Sequence, residues 1–131
     1  MILDIPGSPG ELIDKITILE LKARHFTDPA KRHNVERQLA TLSALWAAKV
    51  KISAAMDKHI AVLREVNAAL WEIEERLRAL EKNADFGASF VDCARAVYLN
   101  NDRRAAAKRA IDAELGATMI EEKSYLTGAG R

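Results

Sequence analysis

The sequence predicts an all-α protein: an antiparallel bundle of four main helices with an extended N-terminal arm and an irregular C-terminal tail. Three observations carry this. First, apolar residues recur at helical rather than strand spacing: Leu63, Val66, Leu70, Ile73, Leu77 and Leu80 step 3-4-3-4-3, the seam of an antiparallel bundle. Second, no stretch of useful length alternates apolar and polar residues as a strand would. Third, Ala30 to Phe86 contains neither Gly nor Pro. As one helix that stretch would span about 85 Å, against a radius of gyration of about 14 Å for a compact domain of this length. The chain therefore has to turn back on itself.

Local punctuation places the elements in order, within a single domain over 1–131. Met1 to Gly7 is apolar and broken by Pro6 and Gly7, an arm laid across the body. Ser8-Pro9-Gly10-Glu11 starts the first helix, at about 8–26: Ser8 caps, Pro9 fits the first helical position and Glu11 completes a capping box. Its Leu12, Ile16, Leu19, Ala23 and Phe26 share a face, and Ile18 and Leu21 lie off it, so this helix is covered on two sides. Asp28-Pro29 starts the second, at about 29–49, with Val35, Leu39, Leu42 and Trp46 facing inward. Val50-Lys51-Ile52-Ser53 is the weakest helical stretch and takes the turn. The third helix runs at about 54–82, Asn83 to Gly87 is a turn, and the fourth runs at about 87–115 with Gly116 as its C-terminal cap. The tail is 116–131.

Composition narrows the function. The 131 residues carry 20 basic and 19 acidic side chains, a net charge of +1, which lacks the one-sided basic field of a general nucleic-acid binder. Aromatic residues make up 5%, too few for a base-stacking platform. Cys93 is the single cysteine, and it lies on an apolar face with no histidine nearby, so it reads as a small core residue in a reducing compartment. His25, His33 and His59 have no metal-ligand spacing and read as surface residues. The N-terminus has neither the basic nor the apolar segment of a signal peptide, and no stretch reaches the length of a membrane span. A cytoplasmic protein without membrane insertion is expected.

The fourth helix carries the strongest functional signal. At about 100° per residue, Phe90, Cys93, Ala94, Val97, Ala105, Ile111 and Leu115 gather on one side, and Asn101, Arg104 and Lys108 fall inside that arc. Amides and cations are costly to bury unless paired, so acids are expected opposite. The first helix offers Glu11, Asp14, Lys15 and Lys22; the third offers Asn67, Trp71, Glu74 and Arg78; the fourth adds Arg95, Tyr98 and Asp102. The tail contributes Glu121, Glu122, Lys123, Ser124 and Tyr125. Acids on two helices facing bases on a third make a pocket of mixed charge that suits a phosphate- or carboxylate-bearing ligand. Lys15, Arg104 and Lys108 would contact the anion, Glu11, Asp14 and Glu74 would orient those bases, and Asn101 would fix the geometry. The same cluster can instead be a structural lock without a ligand.

Five segments resemble a small bacterial family of unknown function: GELIDKITILELK at 10–22, NAALWEIEE at 67–75, ARAVY at 94–98, NDRR at 101–104 and EEKSY at 121–125. The resemblance implies a short helical protein, or a domain of larger proteins associated with glycosyltransferases and surface polysaccharide, and it implies no reaction. The leading expectation is a module that binds an anionic small molecule, such as a nucleotide or sugar nucleotide, with no cofactor. An alternative pairs Glu11 and Asp14 with Glu72 and Glu75 around Mg²⁺, in a manner similar to the all-α nucleoside-triphosphate pyrophosphohydrolases. A third reading is a homo-oligomeric interaction domain, or the partner of a glycosyltransferase, with an exposed apolar seam on the second helix or at Ile18 and Leu21.

Overall fold

The computed structural model describes residues 1–116, and the expected tail lies outside them. It is all-α: α1 (Pro9–His25), α2 (Pro29–Lys49), α3 (Ala54–Lys82) and α4 (Ala88–Glu114). Each of the first three starts is fixed by a side chain that accepts an orphan backbone N–H. Ser8 Oγ accepts from Glu11 N at 3.2 Å, Asp28 Oδ2 from Lys31 N at 3.0 Å, and Ser53 Oγ from Met56 N at 3.2 Å. Of the capping box at Ser8, only this half forms among the described residues. Gly87 caps α4 with its backbone alone.

α1 is the element through which the others meet. It packs against α2, α3 and α4, while α3 and α4 form a long antiparallel hairpin. Among the described residues α2 packs against α1 and against no other helix backbone. The core sits where the first half of α1, the end of α2, the start of α3 and the end of α4 converge: Ile13, Ile16, Trp46, Met56, Ile60, Leu63, Ala107 and Ile111. Along the α3 seam, Leu63 and Val66 are fully buried, whereas Leu70, Ile73, Leu77 and Leu80 are half-buried. α1 ends at His25, so the far half of the α3–α4 hairpin extends past it with only one partner per helix. Cys93 is buried, in the seam of that hairpin.

Two local expectations change. The arm does not lay its apolar side chains on the body: Ile2, Leu3 and Ile5 are exposed, and Ile2 borders a shallow groove along α2 with Asn34 and Leu42. Ala94, assigned to the inner stripe of α4, is exposed, because α1 does not reach that part of the hairpin.

The junction of α1 with α4 depends on Gly10. Its N–H donates to Asp112 Oδ1 at 2.7 Å, and a Cβ built there would lie 2.5 Å from the Lys108 carbonyl oxygen. With Pro9 lacking an N–H, Gly10 bound to Asp112 and Glu11 bound to Ser8, the first turn of α1 has its donors satisfied. Gly10→Ala is therefore expected to lower stability by about 2 kcal/mol or more, because backbone has to move. Equilibrium urea unfolding measures it, and a change within about 0.5 kcal/mol would contradict the close approach.

The hairpin turn contains the other test. Ala84 has φ 52°, the left-handed conformation that follows the α3 C-cap, with Ala84 N donating to Glu81 O and Asp85 N to Leu80 O. A β-carbon is disfavoured there by about 1–2 kcal/mol, and glycine is the usual residue. Ala84→Gly should raise stability by about 1 kcal/mol, read as an increase in Tm.

Candidate functional site

The polar stripe on α4 continues further than its first three residues. Arg104, Lys108 and Asp112 follow at i, i+4 and i+8, and α4 runs antiparallel to α1, so they face Gly10, Asp14 and Thr17. Asp14 is the centre: the residue is 3% exposed. Arg104 grips it through one edge of its guanidinium, Nε donating to Oδ1 at 2.9 Å and Nη2 to Oδ2. Asn67, from α3, donates its amide N–H to Asp14 Oδ1 at 3.0 Å and to Thr17 Oγ1 at 2.9 Å. The Thr17 hydroxyl in turn donates to the Asp14 carbonyl at 2.8 Å. Lys108 Nζ lies 4.0 Å from Asp14 Oδ2 and is itself buried. Three helices are thus tied to one carboxylate. Every buried side-chain nitrogen and oxygen among the described residues has a hydrogen-bond partner.

A cleft opens beside this network. Its volume is about 420 Å³ and it lies between α1, with Ile18 and Leu21, α3, with Leu70, Trp71, Glu74, Glu75 and Arg78, and α4, with Asn101; Asn67 and Arg104 form its inner end. From Asn67 to Arg78 is about 16 Å along the α3 axis, so the cleft is elongated, with a guanidinium at each end. Arg104 has 30% of its side chain exposed and belongs to both the network and the cleft. Trp71 is fixed from outside by His25, whose ring stacks on the indole at 4.6 Å and 18°, and by Phe26 at 6.3 Å.

The structure divides the residues expected to share a site. Asn67, Trp71, Glu74, Asn101 and Arg104 line the cleft. Asp14 and Lys108 lie beneath it in the buried network. Glu11 and Lys15 are exposed and Lys22 is half-buried, and none of the three lines the cleft, because they sit on the outer edge of α1. Arg95, Tyr98 and Asp102 are on another side of α4. The four carboxylates of the Mg²⁺ alternative do not converge: Asp14 is buried under Arg104, Glu72 is exposed outside the cleft, and among the described residues no group of three or more metal-ligating side chains could hold an ion. The tail residues 121–125 lie outside the described residues.

Three participants, Asp112, Thr17 and His25, are not among the site residues expected from the sequence. Asp112 was legible as the next member of the stripe, one turn after Lys108. Thr17, three residues from Asp14, was legible as a polar residue on a buried face. Arg78, on the α3 face expected with Asn67, Trp71 and Glu74, lines the cleft, and so does Glu75, expected only in the Mg²⁺ alternative. The His25–Trp71 stack had no local signal, since the two residues meet only through the crossing of α1 over α3.

This all-helical bundle, with its carboxylate-centred network and adjoining cleft, matches a known family along nearly its whole length. Over residues 3–130 the chain belongs to the family of unknown function DUF6165. No curated protein and no solved structure matches it. No helix among the described residues is long and apolar enough to cross a membrane.

The network predicts an unequal response to substitution. Asp14→Asn leaves two cations without their shared anion and should cost about 3 kcal/mol or more. Lys108→Met leaves Asp14 still held by Arg104 and Asn67, and should cost distinctly less. Chemical denaturation of the two variants checks the order, and a larger loss for Lys108→Met would reverse the assignment of Arg104 as the principal partner.

Proposed function

We propose that the protein is a binding module for an anionic small molecule, held in the cleft between α1, α3 and α4. The observation that carries this reading is where the polar stripe of α4 ends. Lys108 and Arg104 turn to Asp14, but Asn101, one turn earlier, has no hydrogen-bond partner among the described residues and faces the cleft. Arg78, across from it, forms no ion pair among the described residues. Polar groups supplied to an open cleft without protein partners are what a ligand site requires.

The roles follow from position. Arg78 and the exposed edge of Arg104 receive the anion, Arg being the residue that fits phosphate and carboxylate in a fork. Trp71, held by His25, offers a rigid apolar wall for a ring. Asn101 and Glu74 orient hydroxyl or amide groups. Lys108 and Lys15, expected as anion contacts, have no part, since one is buried on Asp14 and the other is outside the cleft. A nucleotide or sugar nucleotide combines a planar ring with phosphate and suits this arrangement, which also agrees with the glycosyltransferase association that the sequence resemblance implies. The single, buried cysteine is in keeping with a cytoplasmic location.

A thermal-shift panel of nucleotides, sugar nucleotides, phosphosugars and dicarboxylates, each with and without Mg²⁺, tests the reading. A ligand at 100 times its Kd adds about 2.7 kcal/mol, a shift of several degrees. A metal-independent shift is expected with at least one phosphate-bearing ligand, and Arg78→Ala and Trp71→Ala should remove it while leaving the Tm of the free protein nearly unchanged for Arg78→Ala. A flat panel, or a shift that survives both substitutions, would overturn the cleft as the site.

A further inference from the structure

The two ends of the cleft differ in charge. At the inner end Arg104 enters from the buried network, with Asn101 about one turn away along α4. Asp14 is answered there by two cations, Arg104 and Lys108. About 10 Å further out along the α3 axis stand Glu74 and Glu75, adjacent in sequence and both lining the cleft. Arg78, on the same helix beyond them, sets one positive charge against two negative ones. Among the described residues neither glutamate forms an ion pair. The outer half of the cleft is therefore negative.

Between the ends the wall is apolar. Ile18 and Leu21, expected with α2 to offer an exposed seam, form this wall instead, together with Leu70 and Trp71; Leu21 is buried, and Leu45 is an isolated exposed side chain on α2. His25 takes one face of the Trp71 indole, at 4.6 Å and 18°, and is not part of the cleft lining. Trp71 thus presents the remainder of its ring to a ligand.

This distribution restricts what the cleft accepts. A ligand with anionic groups alone would set them against Glu74 and Glu75, the like-charge opposition that excludes wrong partners. A hydroxyl or amide is satisfied by one carboxylate and leaves the other unanswered. An ammonium answers both, because it brings the opposite charge and three N–H donors. An indole face is also a favourable neighbour for a cation.

We infer that the ligand is a zwitterion, with a phosphate toward Arg104 and Asn101 and an amine held by Glu74, Glu75 and the ring of Trp71. The class is an amine-bearing phosphate compound about as long as a phosphosugar. The inference rests on the cleft being the ligand site, and it adds what separates that ligand from other phosphates.

Three sugar phosphates that differ at one position test it, each titrated calorimetrically into the full chain without Mg²⁺. Glucosamine 6-phosphate carries the ammonium, glucose 6-phosphate a hydroxyl, and N-acetylglucosamine 6-phosphate an uncharged amide of larger size. Glucosamine 6-phosphate should bind about tenfold or more tightly than either of the others. Glu74→Gln with Glu75→Gln should abolish the preference by weakening glucosamine 6-phosphate alone. Both glutamates are exposed, so the double variant should fold, and circular dichroism checks its helix content. Trp71→Ala should weaken all three. Equal affinity for the three, each lost in Trp71→Ala, would overturn the amine and leave the cleft as an anion site. A preference that survives the double glutamine variant would overturn it as well. If none of the three binds, the inference falls, whereas the cleft itself falls only if the wider panel of nucleotides and phosphosugars is also flat.

Discussion

The Asp14 carboxylate and the Arg104 guanidinium set the terms for the rest of the molecule. Bringing an ion pair into a helical interior costs several kcal/mol per ion before any attraction is counted. Here the geometry meets the conditions under which that cost is offset: two parallel contacts from one guanidinium, a third donor from Asn67, and a second cation 4.0 Å away. These partners come from α3 and α4, so satisfying one carboxylate of α1 fixes the three helices together. Apolar packing alone would tolerate sliding of α1 over the hairpin, whereas a bidentate ion pair does not. The Gly10–Asp112 contact adds a second fixed point, one turn away along α1 and two turns away along α4.

The cleft is a consequence of that constraint. α1 is held at Asp14 and ends at His25 against Trp71, while α3 and α4 continue beyond it. The wedge left between the end of α1 and the hairpin is where Arg104 emerges from the network. One residue thus belongs to a buried lock and to an accessible wall, which couples the shape of the cleft to the integrity of the core. The division also runs along α4: its buried end, from Arg104 to Asp112, is tied into the bundle, and its outlying end, from Val91 to Leu99, leaves large side chains exposed.

Much of the fold was legible because it is written locally. Ser8, Asp28 and Ser53 each cap a helix, and capping is a contact between residues three apart that the sequence displays directly. The 3-4 spacing of α3 showed its inward side. The polar residues in the α4 stripe pointed to acids opposite, and Asp14 was among those named. What the sequence could not display is which elements meet, and at what angle. The stacking of His25 on Trp71, the exposure of Ala94 and the absence of Lys15 from the cleft all follow from where α1 packs on the hairpin and from its short length. Likewise Lys108 could be read as an anion contact or as a lock, because a buried cation looks the same in sequence whether its partner is a ligand or a side chain.

The most direct measurement of the central claim is a double-mutant cycle on Asp14→Leu and Arg104→Met, with stability from urea unfolding. If the pair is the fixed point of the bundle, each single change leaves a charge without its partner and should cost about 3 kcal/mol. The double change removes both charges and should cost well below the sum of the two, a coupling of about 2 kcal/mol or more. Additive losses would contradict the account, because they would mean that Asp14 and Arg104 contribute to the bundle separately.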